Sequence, residues 1–218
     1  MSARRAVLAC LMLAGLLSAA AAPPPGAPVT LLIHPDASSL TFTIHRTGET
    51  IEGAAHEFTG EVGFDPADLS TGSSVVLRVT AASLETGNRM RDRKMRNTHL
   101  EADRFPEIVF KSTSIKIGPE REGAAPTPAQ GARGSAQGGR QRKALVEGVL
   151  SLHGVDRTLM VPAAIRYDSG LLTAEGSVAL TYSDYGIPIP RFLWLVMEDD
   201  IKVRFRFVAE APARRRAP

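Results

Sequence analysis

Usable thiols are the first thing this sequence lacks. Its one cysteine, Cys10, lies in an apolar N-terminal run that reads as cleavable, so disulfides and thiolate catalysis are excluded for a mature chain. A helix-length apolar run is missing as well: Ala6 to Leu17 is too short to cross a hydrocarbon core about 30 Å thick. Nor is there an excess of one charge. The chain carries 26 Lys and Arg against 23 Asp and Glu, and removing Arg4 and Arg5 with a leader brings these nearer to balance. Net charge therefore leaves no footprint for nucleic acid. No His-x-x-x-His, His-Glu-x-x-His or Gly-x-Ser-x-Gly pattern occurs, and no phosphate-cradling glycine loop.

What is present at the ends reads as an address and tails. Arg4 and Arg5, the apolar run and the small residues Ser18 to Ala22 have the layout of a secretory signal peptide, expected over residues 1–22. The expected location is the periplasm or the exterior. Too few residues precede Cys10 for it to serve as a lipoprotein cleavage site. Residues 23–30 read as a Pro/Ala/Gly linker, 31–209 as one domain and 210–218 as a basic tail. Within the domain, residues 118–143 hold Gly, Ala, Pro, Gln and Arg with no apolar period, and are expected to be a disordered insertion. A loop of this length adds little closure entropy.

Elsewhere the apolar period is two. Leu40, Phe42 and Ile44 alternate with polar neighbours, as do Phe58, Val62 and Phe64, then Val75, Leu77 and Val79. Ile108 and Phe110 begin another strand, Leu145 to Leu152 a further one, and His153-Gly154-Val155-Asp156 a turn. Leu159, Val161 and Ile165 follow, then Ala174, Gly176, Val178 and Leu180 on one face. Ile201, Val203, Phe205 and Phe207 alternate with Lys202, Arg204 and Arg206 in the clearest strand of the chain. One helix is expected over Arg89 to Ala102, stopped by Phe105-Pro106. The connections are too short for repeated βαβ crossovers, so the pattern predicts an antiparallel barrel or sandwich.

The order of several short motifs resembles the YceI-like family of secreted, polyisoprenoid-binding, lipocalin-like proteins. These are Phe58 to Asp65, Ser83 to Asn88, Arg91-Asp92, Phe105 to Phe110 with Ser112-Thr113, Glu147-Gly148 with Leu150, and Leu152 to Val155. Tyr185-Gly186-Ile187 and Asp199 to Val203 complete the set. Where family members carry His-Ser near the first strand, this chain has Ala37-Ser38-Ser39. The resemblance implies an all-β fold, an eight-stranded antiparallel lipocalin-like β-barrel with one short inserted helix, around a long-tailed amphiphile. The ligand it implies is a polyprenyl chain or isoprenoid quinone, with no other cofactor.

Alternation names the candidate wall of such a site: Phe42, Ile44, Phe58, Val62, Phe64, Leu77, Val79, Phe110, Leu150, Val178, Leu180, Val203 and Phe205. Met90 and Met95, flexible side chains on the helix, are candidates to cap a tail. Gly60, Gly148 and Gly176 either leave space inside or mark bends. Phe192 to Met197 breaks the alternation after Pro188 and Pro190, and reads either as an apolar lid or portal at the barrel mouth, with Trp194 near the membrane interface or the ligand, or as a loop packed into the barrel end. Arg89, Arg91, Arg93, Lys94 and Arg96 crowd the helix; solvation is the ordinary reading and peripheral membrane contact the alternative.

No metal site or catalytic residue is assigned. His34, His45 and His56 recur evenly but not at ligand spacing, His153 reads as a hydrogen-bonding turn residue, and Glu198 to Asp200 as turn chemistry. The expected function is a carrier or store for a hydrophobic isoprenoid, working by burial. The rivals are a lipid-modifying enzyme that uses His45, His56 or the acidic cluster, and a ligand-free stress or scaffold protein with a solid core. Oligomeric state is left open.

Overall fold

The structure, a computed structural model, describes residues 29–46, 48–65, 72–121, 141–192 and 195–211. The expected leader, Trp194 and the tail from residue 212 fall outside them. Among the described residues, one sheet runs through nearly the whole chain. Its first segments are β1 (Val29–Ile33), β2 (Ser39–Arg46), β3 (Glu49–Ala55), β4 (Phe58–Phe64), β5 (Ser74–Thr80) and β6 (Leu84–Glu85). A helix, α1 (Arg89–Lys94), interrupts it. The sheet resumes with β7 (Glu107–Arg121), β8 (Gln141–Leu152), β9 (Val155–Asp168) and β10 (Leu171–Thr181), and ends with β11 (Arg191–Phe192) and β12 (Leu195–Glu210).

The early segments are halves of bent strands. β1 pairs with β4 while β2 pairs with β3, so Val29 faces Phe64 and Arg46 faces Glu49 along one long hairpin. β5 continues this ladder on β4 and β6 continues it on β3. With β7, β8, β9, β10 and β12 they form the eight staves of a closed antiparallel barrel. The ring closes where β12 pairs with both β1 and β2, through Leu32–Glu210 and Ile44–Ile201. Closure leaves no long unpaired edge, which is how an all-β chain avoids edge-to-edge association.

Two tight hairpins fix the longest staves. His153-Gly154 joins β8 to β9, and Ser169-Gly170 joins β9 to β10. Both central residues have positive φ in each turn, 53° and 75° in the first, 50° and 87° in the second. That twist matches the twist of the flanking strands, and glycine takes it without steric cost.

The structure departs from the sequence expectation in several places, beginning with the domain edges: β1 starts at Val29, inside the expected linker, and β12 runs through Glu210, the first residue of the expected tail. β3 was not foreseen, because its inward positions are Ile51, Gly53 and Ala55, which carry too little apolar bulk to show a period. The helical segment ends at His99 rather than Ala102: α1 passes into a π-helical turn over Met95–His99, with Leu100 N–H donating to the Met95 carbonyl, and Glu101 turns out at φ 44°. β7 and β8 run into the expected insertion, pairing Glu120 with Arg142 and Arg121 with Gln141; residues 122–140 lie outside the described residues. Strand pairing reaches into the Phe192 to Met197 stretch: β11 pairs with the start of β12, with a register shift of β12 on β2 between Met197 and Ile201, while residues 193 and 194 lie outside the described residues.

Packing is concentrated toward the two ends. Leu31, Phe64, Val79, Leu172 and Ala209 seal the end where β1 meets β12, and Phe64 meets the Tyr167 ring edge-on at 4.9 Å. Phe42, Ile51, Leu100, Leu152, Tyr185 and Ile187 pack at the other end, under the π turn. Fully burying a side chain of the Leu or Phe class contributes roughly 1.5–3 kcal/mol.

Candidate functional site

Between the packed ends the barrel encloses a cavity of about 710 Å³. Its wall is drawn from every stave: Phe42 and Ile44 of β2, Val62 and Phe64 of β4, Leu77 and Val79 of β5, Phe110 of β7, Leu150 of β8, Leu159 and Val161 of β9, Val178 and Leu180 of β10, Val203 and Phe205 of β12. Met90 and Met95 line it from the helix side. Phe58 is the exception among the described candidates. It is buried against Phe207, with ring centroids 5.8 Å apart, and packs into the sealed end rather than the cavity wall. Sequence reasoning missed Ile115, Ile117, Ala144, Val146 and Ala163, which also line the cavity. Four of these belong to the parts of β7 and β8 that flank the stretch read as an insertion.

The glycines act differently from either expectation. A Cβ on Gly148 would lie 2.5 Å from Phe110 Cζ, one on Gly176 2.6 Å from Phe205 Cζ, and one on Gly53 2.2 Å from Phe42 Cζ. Each glycine faces inward and is covered by a phenylalanine ring from the adjacent strand. The rings therefore lie flat along the wall instead of projecting into the centre, and the space left by the glycine is taken up by aromatic surface. Gly60 is covered in the same manner by Ile33, whose Cδ1 would be 2.5 Å from a Cβ.

Charge in the cavity wall gathers at the β2–β3 turn, the end that we therefore assign as the mouth. The register of β6 on β3, Leu84 against Ala55 and Glu85 against Ala54, carries the chain toward that turn, so α1 starts beside it. Met197 faces Arg46 and donates its N–H to the Pro190 carbonyl, which brings the last hairpin to the same end. All the lining side chains that carry formal charge at neutral pH, Arg46, Glu49, Arg91 and Lys94, belong to this rim among the described residues. Arg46 and Glu49 form an ion pair. Asn88 caps α1, its side-chain oxygen accepting from the N–H groups of Met90 and Arg91, both at 3.1 Å. Asp92, buried, accepts from the Thr86 N–H at 2.9 Å and from its hydroxyl. Arg91 donates from Nε to Thr86 Oγ1 at 2.6 Å and from its terminal nitrogen to the Thr86 carbonyl at 3.0 Å. The Arg91-Asp92 pair thus fixes the helix to the chain that precedes it.

Deeper polar groups are held neutral. His99 is buried on the π turn and lines the cavity. Its Nδ1 lies 3.1 Å from the Pro188 carbonyl, which assigns the proton to Nδ1, and Nε2 has no hydrogen-bond partner among the described residues. Burial, aided by the nearby Lys94 charge and opposed by the Pro188 carbonyl, lowers its pKa below 6.5. Tyr182, also in the wall, is pushed well above the ordinary phenol range by burial and by Asp199. Tyr185, almost wholly buried, is pushed up to about 12 by burial and by Asp184. Charge at the rim and neutral groups inside suit an amphiphile that enters tail first.

The remaining candidates are occupied elsewhere. His34 pairs with Glu210 at 3.1 Å, His45 with Thr50 Oγ1 at 3.2 Å and His56 with Glu85 at 3.7 Å. His153 donates to the Tyr185 carbonyl at 3.2 Å and sits 3.4 Å from Glu101, a structural turn residue as expected. Among the described residues no group of three or more His, Cys, Asp or Glu side chains is placed to hold a metal ion. Asp199 accepts from the N–H and hydroxyl of Ser183, which lowers its pKa and marks it as turn chemistry. Neither His45, His56 nor the Glu198–Asp200 cluster lines the cavity. Trp194 lies outside the described residues.

A family model described as "YceI-like domain" matches residues 32–209. A UPF0312 protein of Vibrio cholerae is 32% identical over 80 residues, which cover 36% of this chain and 42% of the relative, so the chain matches less than half of that protein's length. Among solved structures, Burkholderia cenocepacia BcnA superposes with a TM-score of 0.63 at 20% identity, covering 81% of this chain and 98% of that one. A polyisoprenoid binding domain from Saccharophagus degradans, implicated in plant cell wall breakdown, superposes at 0.61 with 16% identity, covering 85% and 100%. At these identities the structural likeness speaks for the fold.

Proposed function

The chain belongs to the YceI-like family, and from that premise we propose that it is a periplasmic carrier or store for a single isoprenoid lipid, a polyprenyl chain or quinone, held by burial. The single observation that carries the reading is the apolar cavity of about 710 Å³. Ligand pockets commonly measure about 300–1,000 Å³, and an eight-stranded barrel is just wide enough for one small ligand. At roughly 30 Å³ for a group the size of water, the cavity has room for on the order of twenty chain atoms. Each methylene removed from water contributes about 0.8 kcal/mol, so a tail of that length binds with little polar help. The open interior also speaks against the solid-core scaffold. The periplasmic location rests on the leader-like residues 1–22.

The test fills the space. Ala163 lines the cavity, and Ala163→Phe adds a ring to an empty volume. Uptake of geranylgeraniol, a twenty-carbon isoprenoid alcohol, is read by native mass spectrometry. The wild type is expected to take up one molecule, and the variant several-fold less, with a melting temperature equal to or above that of the wild type. Equal uptake by the two proteins, or none by the wild type, contradicts the proposal.

A further inference from the structure

We propose that the mouth helix is a membrane-docking surface, which sets the cavity opening against an anionic lipid bilayer. The five cations that crowd this segment do not act alike. Arg91 is tied to Thr86, and Arg96 donates to the Ala82 carbonyl at 3.4 Å, so these two serve the fold. Arg89 and Arg93 are exposed. They stand one helical turn apart on α1 and have no ion-pair or hydrogen-bond partner among the described residues. Like charges at this spacing repel on an isolated helix. The two acids nearest to them in sequence are engaged elsewhere, Asp92 by Thr86 and Glu85 by His56. An anionic surface outside the protein supplies the missing counter-charge.

Met90 adds the apolar half of such a contact. It follows Arg89 directly and is 86% exposed, whereas the next most exposed large hydrophobic residue, Met160, reaches 52%. It also lines the cavity, so the surface is continuous with the interior. An exposed apolar side chain flanked by unpaired arginines fits the boundary between head groups and acyl chains. A lipid leaving the bilayer there passes along Met90 into the barrel and need not cross water. The position of this surface has its purpose from the carrier reading above, and the experiment separates the two.

Wild type and the Arg89→Gln/Arg93→Gln double variant are each sedimented with vesicles of pure phosphatidylcholine, and with vesicles containing phosphatidylglycerol at low salt. Geranylgeraniol uptake from solution is measured in parallel by native mass spectrometry. The wild type is expected to bind the anionic vesicles and not the neutral ones. The double variant is expected to lose about 10–30-fold in vesicle partitioning, since each cation near the surface is worth on the order of a several-fold change. Its uptake from solution is expected to be unchanged, which also shows that it is folded. The basic residues Arg214 to Arg216 are common to both proteins. Equal vesicle binding by the two proteins, or no anionic preference in the wild type, overturns the docking surface. Vesicle binding without geranylgeraniol uptake leaves the surface standing and removes the carrier reading instead.

Discussion

At the scale of single residues, the account turns on groups that are small, neutral or buried where a generic barrel would have something else. Gly148 is the sharpest case. Its substitution by Ala places a Cβ 2.5 Å from Phe110 Cζ and 2.6 Å from the Lys111 carbonyl oxygen. The ring can turn, but only toward the cavity; the backbone oxygen cannot. Urea titration is expected to show Gly148→Ala less stable by about 1–3 kcal/mol. Gly118→Ala, whose Cβ meets nothing nearer than the Lys143 carbonyl at 3.4 Å, is expected to be near neutral. His99 makes a pH prediction. Its pKa is lowered in the fold by burial, the Lys94 charge adding to this and the Pro188 carbonyl opposing it, so the unfolded chain binds the proton more readily. Its stability contribution is therefore fully present above 6.5 and is lost as the pH falls below that value. Replacing His99 with Gln, which keeps a donor for the Pro188 carbonyl, is expected to flatten the difference in unfolding free energy between pH 7.5 and pH 5. A variant with the same pH slope as wild type would contradict this assignment. His99 carried no signal in the sequence that set it apart from the other histidines. The π turn that brings His99 and Met95 to the cavity has no sequence signature.

At the scale of elements, legibility followed apolar bulk. Strands whose inward positions hold Phe, Val, Leu and Ile, such as β2, β5, β10 and β12, could be read directly, and the inward residues of β12 fall on the cavity as alternation says. β3 could not be read because glycine and alanine occupy its inward positions beside Ile51. The ends of β7 and β8 were lost because their flanks share composition with the stretch between them. β11 was hidden by Pro188 and Pro190, which bar a central strand but not a short hairpin arm at the rim. Helix α1 has only six residues, too few to hold by propensity. Its cap and its Thr86 contacts therefore carry it. Asn88→Ala removes the acceptor for the Met90 and Arg91 N–H groups and is expected to cost about 1 kcal/mol. The loss should be local: hydrogen exchange should rise over residues 86–95 and stay unchanged in β8 to β10. Uniform loss of protection across the barrel would mean that the helix is integral to the core rather than an attachment at its mouth.

At the scale of the whole molecule, closure and emptiness go together. A barrel of eight staves buries its edges by pairing β12 with β1 and β2, and packs tightly only toward its ends, where two hydrophobic clusters sit. Flat rings over glycines keep the middle open, and the formal charges of the lining gather at one rim. The barrel was legible in the sequence because it follows from alternation and turn chemistry. Most of the cavity's wall was legible for the same reason, but its volume was not, because that depends on ring orientation across strands, which no local pattern encodes. The same volume predicts a limit on tail length. Isoprenoid alcohols of fifteen and twenty carbons should bind progressively more tightly, whereas longer ones should gain little, because the extra units stay outside the mouth. Competition against geranylgeraniol reads this directly.

The most direct test of the central claim is native mass spectrometry of the protein purified without detergent, with organic extraction of whatever is bound. The account predicts one discrete adduct per barrel, of isoprenoid mass, released into the organic phase. A protein that emerges free of adduct and takes up neither added polyprenols nor quinones would contradict it.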